Sequence, residues 1–293
     1  MRILVAGWHG QVAHALSERS ALRDDVSAMA VGRPAVELSD HSSIGRLLFD
    51  IDPDVVINTA AFTDVDGAED QPERARRENA YGAALLAQNA ARRSVPIIHL
   101  STAHVFDGHR QTPYTEDHKA EPINTYGRTK LEGEQSVAAA NPSHVIVRTG
   151  WIHSPFGRNF VTSLIQRAQV EEAMQFVSDQ TGAPTYAIHL ADALLDIAKR
   201  LVRSPDPSLC GTYHLAGSGT ASWYDMAARA LQFSKQLDGP TAQLQPAPYT
   251  QFPARSPRPH HACLDCTKAS RVFAVSLPAW QDGVDACVRR ILT

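Results

Sequence analysis

Arg2 to Ala6 (RILVA) is a nearly unbroken apolar run that stops at a glycine, and from Val12 the stretch VAHALSERSAL repeats its apolar residues at helical spacing. An apolar run bounded by turn residues is the pattern of a strand buried on both faces, and the change of period predicts a helix packed on it. The alternation recurs. Val26 to Val31 predicts a second strand, and ELSDHSSIGRLLFD, from Glu37, predicts a short strand, an Asp/Ser cap and a helix. Asp54 to Asn58 (DVVIN) predicts another buried strand. A helix from about Pro72 to Ser94, with Asn79 inside it, leads to VPIIHLS, a fourth core strand. A helix beginning at Tyr126 and a strand in SHVIVRTGW (Ser143 to Trp151) follow. Strands alternating with helices predict an α/β fold, a Rossmann-type doubly wound parallel sheet. Past Trp151 the pattern loosens into a loop and helix, a strand, the DQTGAPT loop, a helix and one more strand in GTYHLAG. The Pro-rich C-terminal third predicts a smaller lid of mixed structure over one end of a cleft.

The first turn carries chemistry. Gly7 and Gly10 lie in GWHGQVA, with Gln11, Val12 and the small Ala13 behind them. A dinucleotide pyrophosphate needs a tight turn, close backbone approach and a helix N-terminus, and this strand–glycine–helix order supplies all three. At the end of the second strand an acidic residue would hold the ribose of NAD. Arg33 stands there instead, which suits the 2′-phosphate of NADP, although a solvated loop arginine is the plainer reading. NADPH is therefore the expected cofactor, with NADH possible. Ala60 and Ala61 let a cofactor lie against the end of the DVVIN strand, with Thr63 in the same loop. On this basis residues 1–151, with about 182–216, form the dinucleotide-binding domain. About 152–181 and 217–293 form the substrate-binding part.

Ser101 to Lys130 organises the rest. Thr102 ends a predicted strand, and Tyr126 and Lys130 lie four apart on a predicted helix, so both can face one pocket. A cation beside a phenol favours the phenolate and lowers its pKa from about 10, giving a proton donor or acceptor usable near neutral pH. Carbonyl and alcohol redox chemistry needs such a group.

Composition narrows the class. Acids and bases are mixed along 293 residues with a net charge of −3, leaving no electrostatic footprint for nucleic acid or an anionic membrane. No apolar run reaches the roughly 18 residues of a membrane span, and the N-terminus lacks the features of a signal peptide. Four scattered cysteines point to reduced thiols in the cytoplasm. His260, His261, Cys263 and Cys266 have a metal look but not the spacing of a zinc site, and Ser101, His104 and Asp107 lie too close in sequence for a hydrolase triad.

Taken together, the motifs resemble the dTDP-4-dehydrorhamnose reductases of the extended short-chain dehydrogenase/reductase superfamily. The matching segments are GWHGQV at 7–12, VVINTAAFTDVDGAED at 55–70, STAHVFDG at 101–108, PYTEDHKAEPINTYGRTKLEGE at 113–134 and VRTGWI at 147–152. They continue with GRNF at 157–160, SDQTGAPT at 178–185, YHLAGSGTASWYDMA at 213–227 and RPHHACLDCTK at 258–268. The GxxGxxA spacing is likewise typical of the extended enzymes. The resemblance implies NAD(P)H-dependent reduction of the 4-keto group of a dTDP-linked 6-deoxy sugar. Thr102 would bind the sugar O4, Tyr126 would protonate it and Lys130 would hold the cofactor ribose. Asp40 and Ser101 would join the cofactor contacts; His104, Trp151, Asn159 and Arg258 would line the sugar or phosphate subsites. The family usually reads STDYVFDG, so Ala103 and His104 are departures beside the sugar, and a related dTDP-4-keto sugar is an alternative substrate. A non-catalytic NADP-binding regulatory subunit is the other alternative, since one such subunit resembles this family. Some relatives carry a Glu that helps a magnesium ion bridge a dimer; Ala15 stands at that place, so no metal is expected, and the oligomer stays open between monomer and homodimer.

Overall fold

The computed structural model describes residues 1–34 and 36–293. Five strands open the chain: β1 (Arg2–Ala6), β2 (Ser27–Val31), β3 (Val55–Asn58), β4 (Ile97–Thr102) and β5 (His144–Thr149). With Gly211–His214 they make a six-stranded parallel sheet in which β1 lies between β2 and β3, followed by β4, β5 and Gly211–His214. The chain runs outward from β1 to β2, then crosses back to β3. Such a reversal opens a crevice at the carboxyl ends of the strands, where ligands bind in open α/β sheets.

The apolar runs follow from burial on both faces. Ile3 and Val5 point to one side of the sheet, packing with Val12, Leu16 and the Ala187–Arg203 helix. Leu4 and Ala6 point to the other, against Ile44, Leu48 and Leu86. With neither face in solvent, no alternation survives in the sequence. Around the sheet's carboxyl end the rest of the chain builds short pairings. Thr181–Gly182 joins Ala221–Ser222 and His261–Ala262, while Ala173–Val177 pairs with Gln243–Ala247. Helices Phe160–Arg167, Trp223–Gln236 and Trp280–Leu292 pack on one another here. Among the described residues, no helix is long and apolar enough to cross a membrane.

One local expectation fails and another is refined. The short strand at Glu37 does not form, because the Glu37 carboxylate accepts hydrogen bonds from the backbone and hydroxyl of Ser39, curling the chain into a turn. Asp40 then caps the His41–Ile51 helix by accepting from Ser42 N at 2.9 Å. The helix expected from about Pro72 to Ser94 forms and runs from Pro72 to Arg92, with a π-helical turn, Arg77–Tyr81, that inserts an extra residue around Asn79. Its Asn79 side chain pairs with both backbone groups of Phe62, and its backbone meets Gly133, where a Cβ would sit 2.2 Å from Asn79 O.

Beneath the Thr125–Ala140 helix lies a buried ion pair. Arg148 on β5 grips Glu134 with two hydrogen bonds, 2.9 and 2.7 Å, and Ser101 donates to the same carboxylate. The guanidinium carbon also lies 5.1 Å from the centre of the Phe106 ring. Arg148→Met, leaving a buried carboxylate without its cation, is expected to cost about 3–5 kcal/mol, and adding Glu134→Leu should recover most of it. Urea denaturation of both variants checks this; a double variant as unstable as the single one contradicts it.

Candidate active site

A cavity of about 810 Å³ opens at the carboxyl end of the sheet. Gly7 (φ +130°) makes the turn after β1, and a Cβ there would lie 2.3 Å from Thr59 Oγ1 at the end of β3. Only glycine permits that approach. Gly10 then starts the Gln11–Ala21 helix without any side-chain cap, so its first amides are left to the cavity, which His9, Gly10, Gln11 and Val12 line. Gln11 also accepts from Ser154 Oγ at 2.8 Å, tying this turn to the segment after β5. Thr59, Ala61 and Thr63 form the neighbouring wall; Ala60 turns its amide inward to Asn58 Oδ1 at 3.1 Å.

The centre of the cavity holds Thr102, Tyr126 and Lys130. Thr102, buried at the end of β4, accepts from His104 N at 3.1 Å and lines the cavity with the Tyr126 phenol. Asn124 caps the helix that carries Tyr126 and Lys130, accepting from Gly127 N at 2.7 Å. Burial pulls the Lys130 ammonium down to about 8, with Glu134 acting in the opposite direction. The expected lowering of the Tyr126 phenol does not occur. Burial pushes it up, and the neighbouring Thr102 hydroxyl opposes this only in part. The lysine nitrogen is turned to Leu100 O, 2.6 Å away, and desolvation of the phenolate wins. Tyr126 is therefore a protonated acid at neutral pH.

Beyond this centre the wall becomes aromatic and cationic. Trp151, at φ +49°, stacks on Trp223 with ring centres 3.7 Å apart and planes within 11°, and Phe160 tilts against the second indole. His104 meets the Tyr126 ring edge-on at 5.6 Å. Asn124 uses its oxygen in the cap, so its amide nitrogen donates to His104 Nδ1 at 3.1 Å and Nε2 is left as the ring's donor. Burial first, and Arg258 second, lower that ring to about 4, so it is neutral. Arg258 pairs with Asp66 at 3.0 Å. Asn159 lines the cavity, but its amide is taken up locally: the oxygen caps the Phe160–Arg167 helix and the nitrogen donates to Ser154 O at 2.7 Å. Ser101 lines it too, with its hydroxyl given to Glu134.

Several expected residues lie elsewhere. Arg33 is 57 % exposed and pairs with Glu78 at 3.3 Å, outside the cavity wall. Asp40 borders a separate shallow hollow with Ser42, Ser43 and Arg46. Ala103, expected beside the sugar, is buried in a small core with Val105, Phe106 and Tyr114, so of the two departures only His104 lines the cavity. The His260–Cys266 cluster disperses: His261 bonds Thr181, Cys266 donates to Leu264 O, and His260 packs edge-on against Tyr249. Sequence reasoning missed Trp223, Phe160 and Gln180 in the wall; the capping box Ser222–Asp225 was the available signal for the helix that presents Trp223.

A glycine turn at the switch point, with a Tyr and a Lys one helical turn apart in the same cavity, defines an extended short-chain dehydrogenase/reductase architecture. The model of the RmlD substrate binding domain family matches residues 1–293, and the chain belongs to that family. It is 38 % identical over 292 residues to a dTDP-4-dehydrorhamnose reductase of Sinorhizobium fredii, an alignment spanning 100 % of this chain and 98 % of the relative. Among solved structures it is similar to a dTDP-4-dehydrorhamnose reductase of Clostridium acetobutylicum (TM-score 0.91, 28 % identity, 100 % of both chains). Another is the Bacillus anthracis dTDP-4-dehydrorhamnose reductase in complex with NADP (TM-score 0.88, 28 % identity, 98 % of both chains).

Gly182 is where the indole stack is most exposed to test. A Cβ there would sit 2.4 Å from Trp151 Cε2. Gly182→Ala should displace the indole from Trp223 and change the tryptophan emission, with a smaller change once Trp223 is replaced by Leu. Emission identical to the parent protein would show that the stack tolerates the methyl group.

Proposed function

We propose that this protein is an NAD(P)H-dependent reductase of a dTDP-linked 4-keto-6-deoxy sugar, converting dTDP-4-dehydro-L-rhamnose to dTDP-L-rhamnose. One observation carries the proposal: Thr102, Tyr126 and Lys130 line the same cavity as the uncapped helix N-terminus after Gly10. The full-length match to reductases of that name supports it. The nicotinamide cofactor would supply the hydride. Gly7, Gly10 and the first amides of the Gln11–Ala21 helix fit its pyrophosphate, since a side chain at position 7 would fill the space against Thr59. The protein's own part is orientation and a proton. Thr102 and Tyr126 bind the sugar O4, and Tyr126 gives O4 its proton as C4 is reduced. Lys130 holds the cofactor ribose and stabilises the negative charge left on the phenol oxygen. Trp151 and the neutral His104 shape the sugar subsite, and Arg258 faces the nucleotide phosphates.

The reading assigns cofactor binding to residues 1–151 with about 182–216 and substrate binding to the remainder, in a cytoplasmic monomer or homodimer. NADPH is preferred if Arg33 leaves Glu78 for the 2′-phosphate. A related dTDP-4-keto sugar is the second reading, favoured by His104, which puts an imidazole where the family has a phenol. A regulatory subunit without turnover is disfavoured by the intact Thr102, Tyr126 and Lys130.

Absorbance at the nicotinamide band separates these readings: NADPH should be oxidised with dTDP-4-keto sugars, and a panel of them identifies the acceptor. Tyr126→Phe should lower kcat by at least ~100-fold with NADPH affinity unchanged, because it removes only the proton donor. Unchanged turnover excludes Tyr126 from the chemistry. Arg33→Ala should weaken NADPH by about tenfold and NADH little, as for loss of one charged hydrogen bond. Equal losses in a titration of both coenzymes would mean that position 33 does not read the phosphate.

A further inference from the structure

His99 lies in the middle of β4 with no exposed surface, and the mechanism above gives it no part. Its ring is fixed from behind. Ala60 N donates to Asn58 Oδ1 at 3.1 Å, so Asn58 Nδ2 is the atom that meets His99 Nδ1 at 3.0 Å. An amide nitrogen only donates, so Nδ1 must accept, and a neutral ring then carries its proton on Nε2. Burial, with Lys130 adding to it, keeps the ring neutral.

The Nε2–H accordingly faces Lys130 Nζ, 3.5 Å away. A donor opposite an ammonium opposes its charge; opposite a free amine it is a hydrogen bond. The other groups around the lysine are few. Leu100 O accepts from it at 2.6 Å. Glu134, one turn along the same helix, favours the ammonium but is itself engaged by Arg148 and Ser101. Tyr126, one turn back, is uncharged at neutral pH.

We propose that His99, locked by Asn58 with its proton on Nε2, is a positioning residue for Lys130. It denies the lysine nitrogen an acceptor on the strand side, directs it to Leu100 O and the cofactor cavity, and sets the pH range over which the lysine keeps its charge. Asn58, His99 and Lys130 thus form a chain running inward from the end of β3 to the cavity. The kinetic consequence rests on the reductase reading; the ring's tautomer and the lysine's titration do not.

Three measurements test this. Nitrogen NMR of the unmodified protein, labelled at histidine and with the His99 ring assigned by correlation to its own backbone, should show that ring with its proton on Nε2 throughout the range from about pH 6 to about pH 9. A proton on Nδ1, or a ring that charges in that range, overturns the assignment even if no variant folds. Carbon NMR of the Lys130 side chain should give a titration midpoint moved up by roughly half a pH unit or more in His99→Leu and in Asn58→Leu. His99→Gln, whose amide N–H can still face the lysine, should stay near the parent value. With NADPH and the keto sugar, the alkaline limb of kcat/KM should move by the same amount, leaving the leucine variants about threefold less inhibited on that limb relative to their own maxima. Midpoints unmoved in folded leucine variants overturn the proposal, however far kcat falls. Absent turnover in the parent protein would defeat the reductase reading while the two NMR measurements still decide the role of His99.

Discussion

Lys130 and Glu134 stand one turn apart on the inner face of a single helix, both almost without solvent. Removing an ion from water costs several kcal/mol, so each must find a partner or lose its charge. Glu134 takes Arg148 and Ser101; Lys130 takes the Leu100 carbonyl. Those partners sit on adjacent strands, β4 and β5, at fixed heights in the sheet. Sliding the helix by one residue would break every one of these bonds at once. The helix is thereby held in one register over the sheet, and Tyr126 comes to Thr102 as a consequence.

The same helix ties the C-terminal part of the chain to the cofactor side. Asn124, its cap, also donates to Pro257 O at 2.9 Å. Asp66 pairs with Arg258 and accepts from Ser256 N; Glu69 accepts from Ser256 and from both donors of Thr125; Asp70 pairs with Arg255. Acids of the DVDGAED stretch thus form a rail that holds residues 255–258, of which Arg258 lines the cavity. The outer pairs are solvent-exposed and individually weak. Asp66 and Asn124 thus hold Arg258 and His104 in the wall of the cavity that Tyr126 and the Trp151–Trp223 stack also line.

What the sequence revealed and what it hid divide along physical lines. β1, β3, β4 and β5 were legible because strands buried on both faces write continuous apolar runs, and Gly7 was legible because no other residue fits against Thr59. Tyr126 and Lys130 were legible by spacing alone. The direction of the Tyr126 shift was not, since it depends on how much water reaches the phenol and on where the lysine nitrogen turns. Ala103 was misplaced for a similar reason: the short 3₁₀ turn Ala103–Val105 rotates successive side chains, sending Ala103 to the core and His104 to the cavity. The cap at Asp40 was legible, as an Asp before an apolar helical run, whereas its place beside a hollow separate from the main cavity was not. The pairings of Thr181–Gly182 and Ile152–His153 are two residues long, too short to leave any periodicity.

The two pKa directions at the centre of the cavity bear on when stabilisation is delivered. A phenol lowered by a charged neighbour would already be partly ionised before the ketone is bound, and its proton would be missing. Here burial keeps Tyr126 protonated and leaves Lys130 able to hold its charge only up to about 8. In the proposed reaction, negative charge would grow on the phenol oxygen as O4 takes the proton, and Lys130, one helical turn on and lining the same cavity, is the cation that would meet it. Attraction between them is small while the phenol is neutral and largest as the proton leaves. An interaction that strengthens only along the reaction lowers the barrier without tightening the resting complex, which is the condition for raising kcat.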